Sequence, residues 1–129
     1  MSEKIVQNWI TLAEYDLKTA EAMLQAERYL YVAFTCQQAM EKLLKALFVK
    51  EKDQTPPYTH NLLRLTDTLT IAAELDEEKN RFLETLNSYY IESRYTEEMS
   101  ELSEMLHREN AQSIFSTTQE LFTWLRDQI

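Results

Sequence analysis

Glycine is absent from this chain of 129 residues, and it has only two prolines and one cysteine. Without glycine the chain cannot form the glycine-rich loops that hold phosphate groups in P-loop and Rossmann sites. It also lacks the residue that the tight turns of β-hairpins favour, because those turns need positive φ angles. The two prolines are adjacent, at Pro56 and Pro57, and are expected to lie in a connection between helices.

The single cysteine, Cys36, has no partner for an internal disulfide bond, which is typical of a cytosolic protein. It lies in an apolar stretch and is interpreted as a small core residue rather than a nucleophile. No run approaches the ~18 consecutive apolar residues of a membrane span. The N-terminus also has no apolar block of the signal-peptide type. We therefore predict a cytoplasmic protein without a membrane segment.

Acidic residues outnumber basic ones, 22 to 13, and the net charge is −9. This charge belongs to the later part of the chain: residues 1–50 hold six acids and six bases, whereas residues 51–129 hold sixteen acids and seven bases. An acidic protein gains no long-range attraction for nucleic acid. RNA is therefore disfavoured as a partner, and any nucleotide would have to be held by a local cluster of lysine and arginine.

Apolar residues recur at helical spacing throughout the chain, and they predict a single all-α domain over residues 1–129. The pattern predicts helices over about residues 3–25, 31–50, 59–73, 76–95 and 105–127, with Thr59 and Asp76 as N-caps and a break at Thr96. The connections between these long amphipathic helices are short. They indicate an up-and-down antiparallel bundle of four to five helices.

A string of polar residues lies in the second predicted helix. Gln38, Glu41, Lys42 and Lys45 are spaced by three and four positions, so they share one side of the helix. One interpretation is the wall of a polar groove, with Lys42 or Lys45 available to phosphate. The other is a solvated face with Glu41 and Lys45 as an i, i+4 pair, which contributes only tenths of a kcal/mol.

A second string, residues 89–95, ends the fourth predicted helix and contains Arg94. The guanidinium of Arg94 suits bidentate binding of a carboxylate or a phosphate. Arg94 is therefore either an anion or nucleotide contact or a bridge to Glu41 or to a partner chain. Tyr89, Tyr90 and Tyr95 could stack on a base or pack in a dimer interface.

The two histidines have weaker assignments. His60 follows the predicted cap Thr59 and is interpreted as packing at the helix start, because the sequence identifies no acid or nucleophile as its partner. His107 forms Glu-x-x-His with Glu104, which is half of a di-iron bundle signature. Because only one such motif occurs, we predict no metal site.

Together these segments resemble the HEPN domain family (higher eukaryote and prokaryote nucleotide-binding). The resemblance is carried by Trp9 and by residues 13–20, 29–34, 37–46, 59–62 and 90–95. It implies a compact bundle of about five helices that dimerises. It also implies, for small prokaryotic members, action with a minimal nucleotidyltransferase encoded beside them, often as a toxin–antitoxin pair. Some members of the family are metal-independent ribonucleases with an Arg, four to six residues, then His.

This chain departs from that ribonuclease motif. After Arg94 no histidine occurs until His107, thirteen positions later. The intervening glutamates would repel RNA phosphates near Arg94; they are Glu97, Glu98, Glu101 and Glu104. The sequence therefore predicts a protein without nuclease activity. No cofactor is predicted.

The resulting hypothesis is a HEPN-like homodimer that binds a nucleotide, pairs with a minimal nucleotidyltransferase, or does both. Its site residues are Arg94, Lys42 and Lys45 for the anion and Tyr90 and Tyr95 for the aromatic surface, with Gln38 and Glu41 orienting Arg94. One alternative is a metal-independent ribonuclease toxin in which Arg94 acts with a distant histidine, His107 or His60. Another is an interaction module that binds no ligand.

Overall fold

The computed structural model describes residues 2–129, apart from the side chain of Ser93. Within that part the chain forms α-helices and short 3₁₀ helices and no strand, so the predicted all-α bundle is confirmed. The α-helices are α1 (Ser2–Gln25), α2 (Tyr29–Lys52), α3 (Leu62–Thr66), α4 (Glu77–Asn87), α5 (Thr96–Met105) and α6 (Arg108–Arg126). Two 3₁₀ helices, Thr70–Glu74 and Ile91–Ser93, lie before and after α4.

The centre of the bundle is α2, which contacts α1, α3, α4, α5 and α6. Fourteen of its 24 residues are buried, so it has little solvent-facing surface of its own. It runs antiparallel to α1, because Lys42 pairs with Asp16 whereas Lys45, further along α2, lies over the earlier Trp9. The buried stripe of α6, which runs from Ala111 to Leu125, packs against α2 as well. The core is thus built around one helix that also carries the polar string.

Helices α1 and α2 each end at a residue with positive φ. Glu27, in the turn between the two helices, has φ 62°, and Asp53 after α2 has φ 53°. The backbone N–H of Asp53 donates to Val49 O and so satisfies a carbonyl of the last turn. Glycine is the residue most suited to this conformation, and this chain forms both helix ends without one.

The region between α2 and α4 differs from the prediction. The N-cap of α3 is Asn61, whose side chain accepts hydrogen bonds from the backbone N–H groups of Leu63 and Arg64. Thr59, the predicted cap, instead accepts from the Asn61 N–H. The helix then lasts five residues, and a 3₁₀ helix replaces the rest of the predicted span.

Helix α4 is also shorter than predicted. Its N-cap is Asp76 as expected, and the Lys79 N–H donates to the Asp76 side chain. The helix ends at Asn87, whose side chain accepts from the Leu62 N–H and donates to Asn61 Oδ1. These bonds fasten the end of α4 to the start of α3. Tyr90 and Arg94 therefore lie beyond α4 and not on it.

Cys36 is fully buried, as predicted for a core residue. Burial raises the pKa of its thiol to about 12, which keeps the sulfur protonated and unreactive. Within residues 2–129, no helix combines the length and the apolar character needed to cross a bilayer.

Candidate functional site

Glu41 is an acidic side chain placed in the interior of the bundle. Only 5% of the side chain is exposed, and its Oε2 lies 3.0 Å from the Nζ of Lys45, which is 9% exposed. The i, i+4 pair anticipated from the sequence is therefore present, but it is buried rather than solvated. Removing two charges from water is costly, so further polar contacts are needed to satisfy the carboxylate.

Those contacts come from His60 and Gln37. His60 Nδ1 lies 2.9 Å from Glu41 Oε1, and because an ionised carboxylate can only accept, Nδ1 carries the proton and donates. Gln37 Nε2 donates to Glu41 Oε1 at 3.4 Å and to the backbone carbonyl of His60 at 3.0 Å. We call Gln37, Glu41, Lys45 and His60 the Glu41 cluster. It fixes both the ring and the backbone of His60.

Aromatic rings surround the imidazole of His60. Its ring stacks on Tyr90 with centroids 4.2 Å apart and an interplanar angle of 14°. The ring of Tyr58 approaches edge-on at 5.7 Å and is itself 94% exposed. The His60 side chain is 34% exposed, so part of it faces solvent beside Tyr58. We call Tyr58, His60 and Tyr90 the aromatic patch.

Further contacts hold Tyr90 in this position. Its hydroxyl donates to Glu92 Oε2 at 3.0 Å, and its ring lies 6.1 Å from that of Phe34 on α2. Burial, followed by the hydrogen bond to Glu92, raises the pKa of Tyr90 to about 12. The phenol therefore stays protonated at neutral pH and serves as a donor and a stacking surface, not as a base.

The predicted phosphate-binding lysines connect α2 to α1. Lys42 forms an ion pair with Asp16, and Lys45 Nζ lies 5.7 Å from the centre of the Trp9 ring. Gln38 Nε2 donates to Gln37 Oε1 at 2.7 Å, which adds Gln38 to the edge of the Glu41 cluster. Both lysines thus already have an acidic partner in the folded chain.

Arg94 is not placed where the sequence predicted. It donates to the Ser88 carbonyl at 2.8 Å and to Glu98 Oε2 at 3.2 Å. Glu41 and Gln38 do not orient it, since their contacts are with His60, Lys45 and Gln37. The reason is the early end of α4, after which the chain turns through a 3₁₀ helix and brings Arg94 to the first turns of α5.

The remaining candidates lie at the surface. Tyr95 is 80% exposed and precedes α5. His107 is exposed at the start of α6, where its backbone N–H donates to Asn110. In the part of the chain that the structure describes, no hydrogen bond joins Arg94 to His60 or His107. The two predicted strings therefore do not form one site, although Tyr90 reaches the Glu41 cluster by stacking.

The pairing of His60 with Glu41 was missed in the sequence. The two residues are 19 positions apart and are separated by a proline-containing connection, so no helical spacing could relate them. One indirect signal exists. If Glu41 is buried, its carboxylate needs more partners than one lysine, and His60 is the histidine nearest to Glu41 along the sequence.

The model of the HEPN domain family matches residues 6–128 of this chain. Among solved structures, the chain is similar to TT1696 from Thermus thermophilus, with a TM-score of 0.82 and 22% sequence identity. That similarity covers 96% of this chain and 98% of the other. At this level of identity the match supports the fold alone. A search of curated proteins finds no match.

Proposed function

Since this chain belongs to the HEPN domain family, we propose that it binds a nucleotide, with the base stacked on the aromatic patch. The observation that carries the proposal is the exposed ring of Tyr58 beside the fixed imidazole of His60, which itself stacks on Tyr90. Base–aromatic stacking contributes about 1–3 kcal/mol per base and tolerates any base. The patch therefore favours binding of a nucleotide without strong selectivity among bases.

The basic residues named from the sequence have a supporting role in this proposal. Lys42, Lys45 and Arg94 pair with Asp16, Glu41 and Glu98. Each of these pairs is neutral, so it attracts a phosphate less than an unpaired cation would, and the acid of the pair repels the phosphate. Lys42 instead connects α2 to α1, and Lys45 pairs with the Glu41 that contacts His60.

Calorimetry with ATP, GTP and AMP tests nucleotide binding. The variant is Tyr58→Ala, because loss of a fully exposed ring removes the stacking surface without disturbing the core. We expect it to weaken binding by about tenfold or more. Tyr95→Ala is the matched control: it removes a tyrosine of similar exposure outside the patch, and its affinity should equal that of the wild type.

Two outcomes contradict nucleotide binding at the patch. If none of the three nucleotides binds, the function is wrong. If Tyr58→Ala and Tyr95→Ala change the affinity equally, the nucleotide lies elsewhere on the protein.

A second candidate function is association with another protein chain, either a second copy or a minimal nucleotidyltransferase. The supporting observation is a row of exposed apolar side chains on α1, Ile5, Leu12 and Tyr15, whose spacing places them on one helix face. We propose that the chain forms a homodimer and that a nucleotidyltransferase encoded beside it is its functional partner. This proposal does not depend on nucleotide binding.

Light scattering coupled to size exclusion tests the association, first on the chain alone and then with the product of a neighbouring nucleotidyltransferase gene. Leu12→Lys should reduce the mass of the complex, because it places a charge in the apolar row. Glu14→Lys is the control, since it adds positive charge on another exposed part of α1. A monomeric mass in every mixture contradicts the proposal.

A further inference from the structure

We propose that His60 recognises the phosphate of a nucleoside 5′-phosphate and takes up a proton when it does so. This inference rests on the nucleotide binding proposed above and names the group that would contact the phosphate. It differs from the expectation drawn from the sequence, in which Arg94, Lys42 and Lys45 supplied the positive charge.

The first support is the orientation of the imidazole. Nδ1 faces inward and donates to Glu41, and one face of the ring is covered by Tyr90. The side chain nevertheless remains 34% exposed. Among the described residues no hydrogen bond occupies Nε2, so it is the ring nitrogen that remains for a ligand. When protonated at both nitrogens, the ring donates through Nε2 while keeping its bond to Glu41.

The second support is the balance of charge around the ring. On α2 the negative charge of Glu41 is matched by Lys45. Tyr58, from the segment of His60 itself, and Tyr90, from the segment after α4, contribute neutral phenols, and Tyr90 donates to the carboxylate of Glu92. With a neutral imidazole the charges of Glu41, Lys45 and Glu92 sum to −1, which does not attract an anion. A proton on His60 offsets that charge and places a cationic N–H group next to the exposed ring of Tyr58.

Anion binding and proton binding are therefore expected to be linked. An imidazole in general gains its proton as the pH falls from about 8 to about 5. Because the protonated form binds the phosphate better, the affinity for a nucleoside phosphate rises as the pH falls. The affinity for the nucleoside without phosphate has no such dependence, since stacking on Tyr58 involves no charge change.

The test is calorimetry with AMP and adenosine at about pH 6 and about pH 8. For the wild type we expect AMP to bind about tenfold more tightly than adenosine at the lower pH, which is the size of a charge-assisted hydrogen bond. The preference should shrink at the higher pH. His60→Gln keeps a polar side chain but cannot be charged, and it should remove the preference at both pH values.

His107→Gln is the matched control, because it removes a histidine that is exposed at the start of α6, and it should behave like the wild type. The phosphate of AMP itself titrates in the same range, and His60→Gln measures that contribution. A further measurement repeats the titrations of wild type and His60→Gln in buffers with different ionisation enthalpies: the wild type should take up more protons with AMP than His60→Gln does, and neither should take up protons with adenosine.

The outcomes separate the two proposals. If adenosine and AMP bind equally at both pH values, the phosphate contact is wrong and nucleotide binding stands. If neither binds, the proposed function fails first. Equal AMP preference in wild type and His60→Gln, or equal proton uptake with AMP in the two proteins, overturns the role of His60.

Discussion

Glu41 on α2 and Glu98 on α5 each pair with a basic side chain, but only 5% of the first carboxylate side chain is exposed, against 44% of the second. Glu41 has three partners, Gln37, Lys45 and His60. Glu98 pairs with Arg94 alone among the contacts of the described chain, and water can replace that partner. A glutamate thus pairs with a basic side chain in the interior of the bundle at Glu41 and near its surface at Glu98.

The comparison shows where the fold depends on its polar residues. A buried carboxylate loses hydration when the chain folds, so every partner that it retains affects stability. An exposed carboxylate loses little hydration, and its ion pair contributes between zero and about 1 kcal/mol. The polar string of α2 is therefore part of the core, whereas Arg94 and Glu98 neutralise each other near the surface.

The largest expected effect is that of Glu41→Ala. It leaves Lys45 buried without its acid and removes the acceptor for His60, so the free energy of unfolding should fall by about 3–5 kcal/mol. Urea denaturation measures the loss. Glu98→Ala is the matched control and should lower the free energy of unfolding by about 1 kcal/mol or less. The double variant Glu41→Leu, Lys45→Met should recover most of the stability, because it leaves no unpaired charge. Equal losses for Glu41→Ala and Glu98→Ala contradict the comparison.

A smaller effect is expected for Lys42→Ala. Lys42 and Asp16 are partly buried and connect α2 to α1, so their pair lies between the two extremes. We expect a loss of about 1–2 kcal/mol in the same urea experiment. Lys50→Ala removes an exposed lysine from the same helix and should change stability by less than about 0.5 kcal/mol. If both variants lower the free energy of unfolding equally, the Lys42–Asp16 pair contributes no more to stability than an exposed lysine does.

Arg94→Ala should cost about 1 kcal/mol or less, since it removes the bond to the Ser88 carbonyl and the pair with Glu98. Nucleotide affinity in the calorimetric assay should be unchanged, because Arg94 is not part of the aromatic patch. Arg94→Lys, which retains the charge, serves as the comparison. A marked loss of affinity in Arg94→Ala but not in Arg94→Lys would mean that the charge of Arg94 binds the anion.

The smallest effect is that of salt. Raising the ionic strength from about 0.1 M to about 1 M shortens the Debye length from about 10 Å to about 3 Å. The contribution of Arg94, measured as the stability difference between wild type and Arg94→Ala, should decrease by tenths of a kcal/mol. The difference for Glu41→Ala should stay constant, because buried pairs are screened far less. A common decrease for both variants would mean that water reaches Glu41.

The features that could be predicted are those set by neighbours along the chain. The apolar spacing of α1, α2 and α6 gave bounds within a few residues of those observed. The N-cap at Asp76 and the Glu41–Lys45 pair follow from spacings of three and four residues. The burial of Cys36 follows from the apolar face on which it lies.

The features that could not be predicted depend on how distant segments meet. The end of α4 at Asn87 is set by its bonds to Asn61 and Leu62, which are more than 20 positions away. The sequence predicts a longer α4 that extends beyond Asn87, and it therefore places Arg94 on a helix that faces Glu41. The contact between His60 and Glu41 likewise depends on the path of the connection through Pro56 and Pro57. Local patterns carry no information on that path.

The left-handed residue after α2 has a consequence for how this sequence can evolve. Asp53 holds a conformation that costs an ordinary L-residue roughly 1–2 kcal/mol, and aspartate tolerates it better than most. Glycine would adopt it freely, so one substitution, Asp53→Gly, is open as a gain in stability. Glu27 is different, since its side chain also pairs with Arg108. Asp53 is thus a position at which this glycine-free chain can gain stability through a single substitution.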